Sequence, residues 1–350
     1  MINIRGSSNG RTLGSGPSNR GSNPCPRAKI NKNMDRNLAL EFVRVTEAAA
    51  IAAAEWMGKG DGKAADKAAV DEMRDRFNQI DFNGRIVIGE GEKDEAPKLY
   101  TGEKVGQNKG PEMDLAVDPL ECTDSVAWGR YNAISVIAAG PKGSLLSAPD
   151  TYMDKIAAGP EVAPVIDLDA PVKDNLKKAA KALDKDVKEV TVVVLDRPRH
   201  EDLIKQIRAC GSRVRLITDG DVAAAIATCV PESGIDLLMG IGGSTEAVLA
   251  AGALRIYNGG IICRFKPRSD EDEKDIKEYL SKIGVEDINN VFHAKDLAKG
   301  DQLTFTATGV IDGPILRGVN FQEDEIITNS VVMRLKSRTV RYITTNHHVE

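Results

Sequence analysis

A chain of 350 residues with net charge −5, 41% hydrophobic and 28% charged side chains has room for two domains of ordinary size and a substantial core. No apolar run approaches the roughly 18 residues of a membrane span, and the acid excess argues against a nucleic-acid binder, so neither a membrane nor a nucleic-acid partner is expected. Five scattered cysteines (25, 122, 210, 229 and 263) with no C-x-x-C argue against a disulfide framework or structural zinc; with only four histidines, a catalytic metal would rest mainly on carboxylates, which points to Mg²⁺ or Mn²⁺.

Residues 1–33 are rich in Ser, Gly and Asn, carry six basic residues and no acid, and are expected to be a disordered leader. An acid-free, Arg- and Ser-containing leader resembles a transit peptide, but it lacks an amphipathic stripe, and an expression leader or upstream start fits equally well; a cytoplasmic location is expected. Removing its charge takes the remainder from −5 to −11, a distinctly acidic folded part.

Asp35 can cap a long helix with Leu38, Phe42, Val45, Ala49, Ala52 and Trp56 at helical spacing, stopped by Gly58 and Gly60. A second helix presents Ala69, Met73, Phe77 and Ile80. Short strands are expected at 85–88, 113–117 and 133–138, the last turning through Gly140-Pro141-Lys142-Gly143 into Leu145 and Leu146. From about residue 165 helix and strand alternate: helices on Leu176, Ile204, Val222–Cys229 and Glu246–Leu254, strands at 190–195, 214–217 and 237–241. That alternation implies βαβ units around a mostly parallel sheet. A further helix on Ile276 and Leu280 precedes strands near 303–307, 330–335 and 339–344, the last two a hairpin turning at Lys336-Ser337-Arg338.

Candidate chemistry gathers where these elements end. The strand through Val117 runs into Asp118-Pro119-Leu120-Glu121-Cys122-Thr123, two carboxylates able to share a divalent cation beside a helix start able to hold an anion; an acidic helix cap is the plainer reading. Gly89-Glu90-Gly91 offers an acid between glycines that permit close backbone approach. Asp66 on the second helix and Glu246 after Gly240-Ile241-Gly242-Gly243 read individually as ordinary helix charges. Arg197-Pro198-Arg199 supplies two guanidinium groups suited to phosphate, and Asp219-Gly220-Asp221 could accept sugar hydroxyls or cap a helix. Ligands of open α/β sheets sit beyond the carboxyl ends of strands, so successive decorated ends together favour a site over surface charge. Dinucleotide, P-loop and nucleophile-elbow patterns fail: Thr245 stands where the first needs its third Gly.

Ala65-Asp66, Ile86 to Glu92, Asp94 to Pro97, Ala116 to Glu121, Ala148 to Met153, Arg197 to His200, Asp219 to Ala224, Gly240 to Gly243 and Lys336 to Thr339, in this order, resemble class II fructose-1,6-bisphosphatases of the lithium-sensitive, inositol-monophosphatase-like superfamily over residues 35–343. The resemblance implies a layered α/β/α/β/α sandwich, with an α+β metal-binding half (34–165) and an α/β substrate-binding half with the C-terminal strands (166–350). It implies metal ligands at Asp66, Glu90, Asp118, Glu121 and Glu246 for two or more Mg²⁺ or Mn²⁺ ions. Implied substrate contacts are Glu121, Cys122, Thr123, Tyr152, Arg197, Pro198, Arg199, Asp219, Gly220, Asp221 and Gly243, with Asp66, Glu90 and Thr123 in catalytic roles.

The implied reaction is hydrolysis of the 1-phosphate of fructose-1,6-bisphosphate in gluconeogenesis or the Calvin cycle, by a homodimer or homotetramer. Bifunctional action on, or preference for, sedoheptulose-1,7-bisphosphate is one alternative, and a sugar-phosphate binder with weak turnover is another. The last rests on two departures from the family pattern. Cys122 stands where the family has Gly, at a cost of about 1 kcal/mol or more if φ there is positive, and Ser244-Thr245-Glu246-Ala247 replaces the usual Ala-Pro-Glu-Gly. A thiol beside the metal site also raises the expectation of sensitivity to oxidation.

Overall fold

The computed structural model describes residues 38–90 and 98–348. The leader 1–33, Asp35, Gly91 and the Asp94 to Pro97 motif lie outside the described residues. No helix among the described residues is long and apolar enough to cross a membrane.

Two sheets define the architecture, with one large core between them and one on the outer face of each. The first sheet takes strands from both ends of the chain: β1 (Asn83–Ile88), β2 (Lys104–Val105), β3 (Glu112–Glu121), β4 (Ala133–Pro141), β11 (Thr304–Ile311), β12 (Asn320–Phe321), β13 (Glu325–Arg334) and β14 (Thr339–His348). Its order is β12-β13-β11-β4-β3-β1-β2 with β14 on β13, and among the described residues only strands β1 and β3 of this sheet run parallel. The second sheet, β10-β9-β5-β8-β6-β7, is built from β5 (Tyr152–Ala158), β6 (Thr191–Leu195), β7 (Arg213–Ile217), β8 (Leu237–Gly243), β9 (Gly260–Lys266) and β10 (Phe292–His293).

Period-two alternation divides each strand between two layers. Leu115, Val117, Ile137 and Ala139 pack on Phe42, Val45, Ala69, Met73 and Phe77 of helices α1 (Leu38–Ala54) and α2 (Gly62–Phe77). Ala116, Val136 and Ala138 face the other way. They share a core with α6 (Asp221–Ala227), α7 (Ser244–Ile256), α8 (Asp270–Lys282), α9 (Ala294–Leu297) and Met153 and Ala157 of β5. Ile156 and Ala158, on the far face of β5, pack with α4 (Val172–Ala182) and α5 (Glu201–Ala209). The result is helix, sheet, helix, sheet, helix, the layered sandwich expected. Small side chains make the middle layer thin: α6 and α7 bury Ala223, Ala224, Ala225, Ala250 and Ala251 between two sheets.

The second sheet differs from the mostly parallel expectation. β6 is parallel to β7 and β8, but β5 lies between β8 and β9, antiparallel to both, and β9 pairs antiparallel with β10. Asp154 and Lys155 in the middle of β5 mask its apolar alternation, because Lys155 is buried through an ion pair rather than an apolar contact. Leu145 and Leu146 do not extend a strand; Leu145 forms an isolated bridge to Ala298. The hairpin of β13 and β14 closes at Arg334↔Thr339, as expected.

Candidate active site

Asp118 and Glu121 are three residues apart on β3 and would point to opposite faces of a regular strand. The β3–β4 register shifts between them, at Pro119-Leu120, where proline removes a ladder donor. This bulge re-aims the second carboxylate. Asp118 Oδ1 accepts from the Leu120 amide at 3.1 Å and Glu121 Oε1 accepts from the Val222 amide at 2.8 Å, tying the end of β3 to the start of α6.

Five carboxylates surround this point. Burial first, then the charges of Glu90, Glu121, Glu246 and Asp66, push the Asp118 carboxyl well above the ordinary range. Glu121 is raised by burial and then by Asp221, against the Val222 hydrogen bond. Glu246 is raised by burial and then by Asp221, with Lys155 and its Thr245 hydrogen bond opposing. The five candidate ligands thus arrive from α2, β1's end, β3 and α7 as electrostatic neighbours. Among the described residues, no three His, Cys, Asp or Glu side chains already converge to ligating distance. The donor chemistry nonetheless fits a hard divalent cation: all the donors are carboxylate oxygens, and Glu121 Oε2 is buried without a hydrogen-bond partner.

Glu90 reaches the cluster because Gly89 lets its backbone approach Leu99; a Cβ at Gly89 would lie 2.0 Å from the Leu99 carbonyl oxygen. Thr123 opens the five-residue helix α3 (Thr123–Ala127). Its hydroxyl donates to the Leu120 carbonyl at 3.2 Å, and its methyl lies against Gly62 at the start of the helix that carries Asp66.

Cys122 has φ +77 and ψ +51, so the expected strain is present. Its thiol is buried, at 4% exposure, with Sγ 3.9 Å from Asn132 Nδ2 and close against Gly220. The side chain thus points at the start of α6. Burial, followed by the neighbouring carboxylates, pushes the thiol well above its ordinary pKa, which works against the expected oxidation sensitivity because the thiolate is the reactive form.

A second pole is built around β5. Tyr152 pairs with Gly243 on one side and Lys266 on the other. The Arg199 guanidinium lies 4.7 Å from the Tyr152 ring centre and that of Arg268 lies 5.5 Å away. Arg199 follows Pro198 in a single 3-10 turn after β6 and donates to the Ile241 carbonyl through Nε and Nη2 at 3.1 and 2.9 Å. Arg197 Nη1 donates to the Asp196 carbonyl, and its charge offsets the burial that raises Asp219. Gly220 caps α6 at φ +87, where an added Cβ would lie 2.0 Å from Asn132 Nδ2.

Lys155 joins the two poles. Its Nζ is 2.7 Å from Asp221 Oδ2 and 3.0 Å from the Gly243 carbonyl, and both charged side chains are buried. Sequence reasoning missed Lys155, Asn132 and Arg268. A lysine beside the apolar run Ile156-Ala157-Ala158 was the available signal for the first; Asn132 at φ +72 and Arg268 beyond a strand end carried none. A separate surface cavity of ≈ 820 Å³ between residues 164–168 and Lys178 and Lys181 of α4 shares no residue with this site.

Known proteins are similar to this chain over most of its length. The family described as bacterial fructose-1,6-bisphosphatase, glpX-encoded, matches residues 36–347. A fructose-1,6-bisphosphatase class 2 of Haemophilus influenzae is 45% identical over 326 residues, 91% of this chain and 98% of that one. A Synechococcus protein named D-fructose 1,6-bisphosphatase class 2/sedoheptulose 1,7-bisphosphatase is 45% identical over 338 residues, 90% of this chain and 96% of its own. A solved structure, an extragenic suppressor from Pyrococcus furiosus, aligns at TM-score 0.28 and 15% identity over 54% of this chain and 68% of that one, too loosely to bear on the fold. With nearly its whole length matched and with 45% identity to such enzymes, the chain belongs to the glpX-type bacterial fructose-1,6-bisphosphatase family.

Proposed function

We propose that this chain is a phosphoric monoester hydrolase that removes the 1-phosphate of fructose-1,6-bisphosphate, leaving fructose-6-phosphate. The observation that carries this reading is the adjacency of two unlike poles: five mutually repelling carboxylates around Asp118, and arginines stacked on Tyr152, linked through the Lys155–Asp221 pair. A phosphate to be cleaved suits the first pole and a phosphate to be held suits the second.

Asp66, Glu90, Asp118, Glu121 and Glu246 would hold two or more Mg²⁺ or Mn²⁺ ions, which when bound lower the pKa of a water and offset charge on the phosphoryl oxygens. Thr123 with Asp66 would orient or deprotonate the attacking water. The Glu121-Cys122-Thr123 segment cradles the reacting phosphate, Asp219, Gly220, Asp221 and Gly243 line the sugar, and Arg197, Pro198, Arg199 and Tyr152 hold the distal phosphate. Positioning and charge stabilisation suffice, with no covalent intermediate. In this reading metal binding belongs mainly to residues 34–165, with Glu246 contributed from 166–350, and the enzyme acts in the cytoplasm as a homodimer or homotetramer. Identifying the product tests the polarity: fructose-6-phosphate is expected, and fructose-1-phosphate would mean that the two poles have been assigned the wrong way round.

A further inference from the structure

His200 is buried, at 1% exposure, directly after Arg199. β6 and β8 pair at Val192↔Leu237 and Val193↔Leu238 and then part. Had that register continued, the Leu195 carbonyl would meet the Ile241 amide. The imidazole stands between them instead: Nδ1 is 2.8 Å from the Leu195 oxygen, and Nε2 is 2.7 Å from the Ile241 nitrogen. A carbonyl only accepts and an amide N–H only donates, so this geometry requires a neutral ring with its proton on Nδ1. Gly240, at φ +135, makes room; a Cβ there would lie 2.9 Å from Nε2. Ile241 is thereby held from both sides, its N–H by His200 and its C=O by Arg199.

We propose that neutral His200 is a positioning residue for substrate binding: it wedges β6 from β8 and fixes Ile241, whose carbonyl sets Arg199 over Tyr152. This rests on the reading that Arg199 and Tyr152 hold the phosphate that is not cleaved. Protonation would turn Nε2 into a donor facing the Ile241 N–H, so the hold on substrate should weaken in acid. The charged groups facing the ring are Arg199, from its own turn, and Asp154, from β5. Burial, the largest influence, and Arg199 keep the ring neutral, while Asp154 and the Leu195 carbonyl favour the charged form.

The test is steady-state kinetics on fructose-1,6-bisphosphate at saturating Mg²⁺ or Mn²⁺ from pH 5.5 to 8.5, for wild type, His200→Phe, His200→Gln and Arg199→Gln. His200→Phe should raise KM about tenfold with kcat within about threefold, the mark of lost binding rather than lost chemistry. His200→Gln keeps a donor and an acceptor that do not titrate, so at pH 7.5 its KM should fall well below that of the Phe variant. The rise of KM on acidification from pH 7.5 to 5.5 should be larger in wild type than in His200→Gln, the excess being the histidine's share. An Arg199→Gln KM equal to wild type would overturn the distal-phosphate reading and this inference with it. A raised KM in Arg199→Gln, together with either an unchanged KM in a folded His200→Phe or an acid rise undiminished in His200→Gln, would overturn the inference alone.

Discussion

Cys122 shows what one side chain costs at a position built for glycine. At φ +77 any Cβ is strained, so replacing the thiol by Ala removes packing and keeps the strain, whereas Gly removes both. Cys122→Gly should therefore be more stable than Cys122→Ala by about 1 kcal/mol in urea denaturation, reversing the usual order of the two residues. Equal stability would mean that the turn relaxes without cost. His200 gives the site its clearest pH signature in stability. Its folded-state pKa lies below the ordinary value of about 6.5, so its contribution is complete above that value and is lost as pH falls through the folded pKa. His200→Gln should lose less stability than wild type between pH 7 and 5, as read from melting temperatures.

Among the elements, β5 and the β8–α7 junction decide how the two poles meet. Lys155 is buried against Asp221, and removing one partner strands the other's charge. Lys155→Met should cost about 3–5 kcal/mol, and adding Asp221→Asn should restore much of it. A single-variant loss below about 1 kcal/mol would show that the pair is not shielded from solvent. The departure at Ser244 also has a structural answer. Its hydroxyl donates to the Pro149 carbonyl and accepts from the Thr151 amide, while its own amide donates to the Thr151 carbonyl, anchoring the start of α7 to the segment entering Tyr152. These ties hold this turn without a proline.

What was legible in the sequence follows the same physics. Helices α1 and α2, strands β3 and β4 and the C-terminal hairpin announce themselves through burial on one or both faces, which hydrophobic periodicity reports directly. β5 and β9 do not. β5 carries a charged pair at its centre, and β9's Gly260-Ile-Ile-Cys-Arg264 resembles a loop leaving a helix. The strand-end carboxylates were readable because glycine and proline mark them. The His200 wedge was not, since it depends on two backbone groups far apart in sequence.

At the scale of the whole molecule, the carboxylate cluster opposes folding. Five acids brought together repel, and burial deprives Asp118, Glu121 and Glu246 of water. Asp118→Asn should raise the melting temperature of metal-free protein at pH 7.5. Mn²⁺ should raise that of wild type and raise the variant's by less, because a ligand that binds only the folded state stabilises it. Identical metal-induced shifts in the two proteins would remove Asp118 from the binding set.

The most direct test is phosphate release from fructose-1,6-bisphosphate by purified protein with Mn²⁺ or Mg²⁺, alongside sedoheptulose-1,7-bisphosphate and inositol-1-phosphate, with Asp118→Asn as the background. Metal-dependent release is expected, greatest from fructose-1,6-bisphosphate and reduced by about two to three orders of magnitude in the variant. Release no greater than that of Asp118→Asn, from a folded protein that binds metal, would contradict it.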